Sequence, residues 1–142
     1  MIALFSLFLL LAPPPPSSLD QVKAEANPER RAKLAIDYAV VTEKGAEAAY
    51  AKGDLDATGA MLKTTAQTME IARDSLAASG KKPGRSPGTY KYGEQRSREM
   101  LVRLGDLERK MDDSERELIA MPMATIQEIH DTWFEGIMGK NK

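Results

Sequence analysis

The stretch EIHDTWFEGIM, residues 128 to 138, places the only histidine and the only tryptophan of the chain among three carboxylates, Glu128, Asp131 and Glu135. An imidazole beside carboxylates is the raw material of general acid–base catalysis and of zinc ligation. On a helix, however, the residues that face His130 lie three or four positions away. These are Ile126, Gln127, Trp133 and Phe134, and none is a carboxylate. The spacing therefore predicts a packed stripe of Ile126, Ile129, His130, Trp133 and Ile137 beside an acidic face of Glu128, Asp131 and Glu135. A ligand role for His130, as a metal or small-molecule contact near Tyr38, stands as the alternative and requires groups brought in by another helix.

Other chemistry is scarce. The chain has no cysteine, which excludes disulfides, thiol catalysis and zinc-thiolate sites. No phosphate-binding glycine loop, nucleophile elbow, metalloprotease helix or dinucleotide fingerprint occurs. MDDSERE, residues 111 to 117, lacks the spaced oxygens and the glycine turn of a calcium loop. The chain is therefore read as a non-enzyme with no catalytic residues, no metal and no cofactor. A net charge of -1 argues against nucleic-acid binding, which needs an excess of cations to displace phosphate counterions.

The elements that must position these residues are helical. With 142 residues, 42% hydrophobic and 29% charged, the chain suits one folded domain rather than a disordered tail. Asn27-Pro28-Glu29 is a helix start, with a capping side chain, a proline tolerated in the first turn and an acid at the positive end of the dipole. Leu34, Tyr38, Val41, Ala48 and Ala49 are the expected apolar stripe of a helix ending near Lys52. Gly53 and Asp54 turn the chain into a second helix, about 56 to 79, with Leu62, Thr65, Ala66, Met69, Ala72 and Leu76 on one face. A third helix from near Tyr90 buries Met100, Leu101, Leu104, Leu107 and Met111. Ser114 and Glu117 have the spacing of a capping box, and the last helix is expected over about 123 to 138, after Pro122. No strand-like alternation competes. The fold class is all-α, a four-helix bundle or two packed antiparallel helical hairpins.

Residues 2 to 12, IALFSLFLLLA, are too short for a membrane span but suit the apolar core of an export signal, followed by the helix-breaking PPPPSS. Ala24-Glu25-Ala26 supplies a small-residue cleavage pattern. The expected organisation is a signal peptide with its proline-rich spacer at 1–26 and a helical domain at 27–142, exported to the periplasm or beyond, with an uncleaved anchor as the alternative.

Two resemblances accompany this reading. AEAAYAKGDLDATGAML, residues 46 to 62, resembles the turn between the two helices of a tetratricopeptide repeat, which implies a close helical hairpin. NPERRAKLAIDYA, AYAKGDLD and EIHDTWFEGIM together resemble small exported bacterial proteins of uncharacterised role, with a signal peptide and a helical body. That resemblance implies export and helices and assigns no site.

Charge is unevenly distributed. Lys81 to Lys110 holds nine Lys or Arg against four Asp or Glu, whereas Met111 to Lys142 holds three against seven. The glycine- and proline-rich stretch GKKPGRSPG, residues 80 to 88, has no apolar anchor and is expected to be exposed and mobile. Lys81, Lys82, Arg85 and Lys91, with Tyr90 and Tyr92 beside them, form the candidate contact loop. It would dock on a protein partner in the envelope, or on an anionic lipid or polymer. The competing use of the helix charges is pairing of the basic third helix with the acidic fourth inside the bundle. A homo-oligomer is also open.

Overall fold

A computed structural model describes residues 18 to 139, so the apolar run at 2–12 and the prolines after it lie outside the described residues. Five helices account for nearly all of the described chain: α1 (Leu19–Lys23), α2 (Pro28–Ala51), α3 (Leu55–Ala78), α4 (Gly88–Lys110) and α5 (Glu117–Met138). The long helices form an all-α four-helix bundle of two antiparallel hairpins, α2–α3 and α4–α5. In the bundle α2 packs on α3 and α4, and α5 packs on α3 and α4. The segment between α3 and α4 therefore crosses the end of the bundle to a diagonal corner.

Three hydrogen bonds fix α2 and α4 as parallel neighbours. Thr89 Oγ1 donates to Glu29, Arg103 Nε to Glu43, and Tyr50 Oη to the Lys110 carbonyl, each pair 60 residues apart in sequence. The second hairpin thus repeats the first in space although their sequences are not repeats.

Each long helix buries positions at alternating steps of four and three, the spacing of coiled-coil packing. The seams are Ala32, Ile36, Ala39, Glu43 and Ala46 on α2, then Leu62, Thr65, Met69, Ala72 and Leu76 on α3. On α4 they are Gly93, Ser97, Met100, Leu104 and Leu107, and on α5 Ile119, Pro122, Ile126, Ile129 and Trp133. The predicted faces of α3 and α4 sit in this core, with Leu101 at its edge. The α2 face needs correction, because Val41 is 44% exposed and the buried seam is Ile36 with alanines. Small side chains let α2 approach α3 closely, so the bulkier neighbours that dominate a hydrophobicity pattern are left on the rim.

The helix ends follow their caps. The side chains of Ser18, Asn27 and Asp54 accept from the backbone N–H groups of Gln21, Arg30 and Ala57, three positions on. Gly53 and Gly80 take positive φ, 76° and 72°, a conformation that favours glycine. Before α5 the reciprocal cap forms between Asp112 and Glu115 rather than Ser114 and Glu117. Asp112 Oδ1 accepts from Glu115 N at 2.8 Å and Glu115 Oε1 accepts from Asp112 N at 2.9 Å. As a result α5 starts six residues before the expected Met123 and carries the buried Pro122 inside its N-terminal part. A proline this near the start forfeits only one helical bond.

The short α1 packs on α2 with Val22 fully buried. Arg31 ties the junction, donating from Nη1 to the Glu25 carbonyl at 3.0 Å and from Nε to Ser75 Oγ at 2.8 Å. Cleavage after Ala26 would detach this helix and uncover the Val22 site. Among the described residues, no helix is long and apolar enough to cross a membrane.

Candidate functional site

The sequence-selected residues fall at one end of the bundle, where α4 starts and α5 finishes. His130 sits at the edge of the α4/α5 seam, its side chain 14% exposed. Its Nε2 lies 3.2 Å from Glu94 Oε1 on α4, and its Nδ1 lies 3.2 Å from Asp131 Oδ1. The expectation of a purely packed histidine with no carboxylate in reach is therefore corrected twice. Glu94 arrives from another helix, which helical spacing within one segment does not register, and the short Asp131 side chain curls back to its neighbour. The imidazole also stacks on Phe134, with ring centroids 6.0 Å apart.

Chemically the cluster is closed. Both imidazole nitrogens already face carboxylate oxygens, and Glu94 also meets Arg98 at 3.6 Å. Gln127 Nε2 donates to Asp131 at 2.8 Å; this bond first, and His130 second, hold the Asp131 carboxyl below its usual range. The arrangement clasps α4 to α5. Among the described residues, no group of three or more His, Asp or Glu is placed to hold a metal ion. Tyr38 does not join His130, since it lies on α2, diagonal to α5.

The loop at 80–88 is exposed as expected, but it does have an apolar anchor in Pro83. Pro83 packs on Gly136 of α5 so closely that a Cβ there would stand 2.7 Å from Pro83 Cγ. Tyr90, buried in the core, donates from its hydroxyl to the Lys81 carbonyl at 2.6 Å, and its burial pushes the phenol upward in pKa. The Lys81 ammonium pairs with Glu29 of α2, whose carboxyl that bond holds low. Tyr92 donates to Asp37 and carries the Lys33 and Arg96 cations 5.5 and 5.1 Å from its ring centroid. Of the six candidate contact residues, Lys81, Tyr90 and Tyr92 are thus engaged within the fold, while Lys82, Arg85 and Lys91 stand exposed.

A second polar feature was not anticipated. Glu43 occupies a core position of α2 and is fully buried, with Oε2 accepting from Arg103 Nε at 2.8 Å and Glu47 4.0 Å from the same nitrogen. Its Oε1 has no hydrogen-bond partner. Burial pushes the carboxyl up to about 7, against the opposing pull of Arg103. The seam position could have flagged Glu43, but its partner becomes visible only once α2 and α4 are known to run parallel.

Compared with known proteins, the chain matches no family model, no curated protein and no solved structure.

Proposed function

We propose that this chain is an exported, non-enzymatic helical protein that acts through protein–protein contact in the cell envelope. The observation that carries this reading is the anchored basic loop. Pro83 on Gly136, Tyr90 on the Lys81 carbonyl and Lys81 on Glu29 hold the loop's backbone, and Lys82 and Arg85 project outward from it. Cations held in place lose less conformational freedom on docking than cations on a free loop, so more of the attraction remains as affinity. An acidic protein surface is the partner such a patch fits, and an anionic lipid or envelope polymer would meet the same charges.

The test is affinity capture of the C-terminally tagged full-length chain from its native cells, read by mass spectrometry. An envelope protein recovered with the native chain and lost with Lys82→Glu/Arg85→Glu supports the reading. Undiminished capture by the reversed variant, or an intact Met1 terminus found in the cytosol, overturns it.

A second reading, a metal or small ligand held near His130, would use Glu94 delivered from α4 and requires the imidazole to release its contacts with Glu94 and Asp131 to the ligand. A ligand that binds the native state raises stability by mass action. Zinc that raises the melting temperature of the native chain but not of His130→Ala supports it.

A further inference from the structure

The charge asymmetry between α4 and α5 is not cancelled by pairing between these two helices. Among the described residues, the one contact between a carboxylate and a basic side chain that joins these two helices is Glu94 with His130. The α4 cations turn elsewhere, Arg103 to α2 and Arg96, Arg98 and Arg109 to acids of their own helix. The outer face of the hairpin consequently presents Lys91, Gln95 and Arg98 on α4 next to Glu128, Asp131 and Glu135 on α5, all exposed. Along the α4 side of this face runs an open groove of about 280 Å³, lined by Lys91, Glu94, Gln95 and Arg98 with Phe134, Ile137 and Met138 as its apolar wall. Phe134 is 45% and Met138 65% exposed.

The levels of these residues are set by two contacts. Two antiparallel helices rise by the same 1.5 Å or so per residue, so one step up α4 is one step down α5; Gly93 against Trp133 and Glu94 against His130 fix the level to within two residues. Two steps before Gly93 is Lys91, and two steps after Trp133 is Glu135. Two steps the other way bring Gln95 level with Asp131, and five bring Arg98 level with Glu128. A two-fold axis lying in this face and parallel to the helices keeps every level and lays α4 of one copy on α5 of the other. It would bring Lys91 to Glu135, Gln95 to Asp131 and Arg98 to Glu128, twice over, around the exposed Phe134 and Met138 side chains. An axis in the same face but across the helices would set α4 on α4 and α5 on α5, like charge on like.

From this matched ladder we propose that the outer α4/α5 face is a homodimer interface whose occupant is the same face of a second copy. Self-complementarity of one patch about a two-fold axis is the geometry of an isologous dimer. The loop cations Lys82 and Arg85 take no part in the ladder, so dimerisation and the partner contact proposed above are separable.

Sedimentation equilibrium of the full-length chain tests the interface, with far-UV circular dichroism confirming the helical fold of each variant. The native chain is expected to be a dimer. Lys91→Glu/Arg98→Glu and Glu128→Lys/Glu135→Lys are each expected to weaken it on the order of a hundredfold, because four attractive pairs become repulsive. An equimolar mixture of the two variants restores every attraction across the interface and should dimerise again. A monomeric native chain, variants that still self-associate, or a mixture that stays monomeric would overturn the proposal.

Discussion

Gly93→Ala tests the packing that joins the two helices of the second hairpin. A Cβ at Gly93 would stand 2.6 Å from Cζ3, 2.9 Å from Cε3 and 3.1 Å from Cη2 of Trp133. Carbon atoms pack best about 3.5 to 4.0 Å apart, so the indole would have to retreat by roughly 1 Å. It has little room, since Trp133 is only 2% exposed within the α5 seam. Overfilling a packed core costs about 1–3 kcal/mol, and the rigid ring argues for the upper part of that range. Replacing a helical glycine by alanine returns about 1 kcal/mol of backbone preference, which leaves a net loss of about 1–2 kcal/mol. Gly105→Ala on the same helix is the matched control. There the nearest atom is Arg109 Nη1 at 3.7 Å, the end of a flexible side chain, so the change should stabilise by about 0.5–1 kcal/mol. Urea unfolding followed by Trp133 emission and by circular dichroism reads both changes, with a loss on the order of 1 M expected in the Gly93→Ala midpoint. A Gly93→Ala midpoint at or above that of Gly105→Ala would refute the packing argument.

Further outcomes follow from the polar core and from α1. The raised Glu43 pKa means that the native state binds more protons than the unfolded chain between the carboxyl's ordinary 4.5 and about 7. Stability should therefore fall as pH rises through that window and level off above it. Glu43→Gln should lose that slope, and parallel wild-type and variant curves of unfolding free energy against pH would contradict the assignment. Stability contributed by the lowered carboxyls of Glu29, Asp112 and Asp131 is instead lost on acidification through their depressed values, and is separable for that reason. Val22→Ala should cost about 1–2 kcal/mol, and a chain starting at Asn27 should melt below one starting at Ser18. Equal melting temperatures would make α1 an appendage rather than a part of the core.

How legible each feature was depended on whether its cause is local. Helix bounds for α2 and α3 were readable because Asn27, Gly53 and Asp54 act on their own backbone. The faces of α3 and α4 were readable because Leu62, Met69, Leu104 and Leu107 dominate their periodicity. The α2 seam was misplaced because alanines carry it, and an alanine is selected by how near a neighbouring helix comes. The α5 start was missed because two capping boxes compete over residues 112 to 117, and the choice between them depends on where α4 stops. Glu94 at His130, Arg103 at Glu43 and Pro83 on Gly136 are contacts between distant segments, which depend on the crossing of the α3–α4 connection to a diagonal corner. The charge polarity of α4 and α5 was visible from counting, whereas its failure to cancel by pairing between these two helices required side-chain partners.

The most direct measurement of the contact function is carbodiimide cross-linking, which activates a carboxylate and joins it to a lysine amine as an amide, in intact native cells, resolved residue by residue by mass spectrometry. If the anchored loop is the contact surface, Lys82 should be joined reproducibly to an acidic segment of an envelope protein, with Lys44, Lys52 and Lys63 on the other hairpin far less so. Links distributed evenly over all exposed lysines, or Lys82 joined to no other protein, would contradict it.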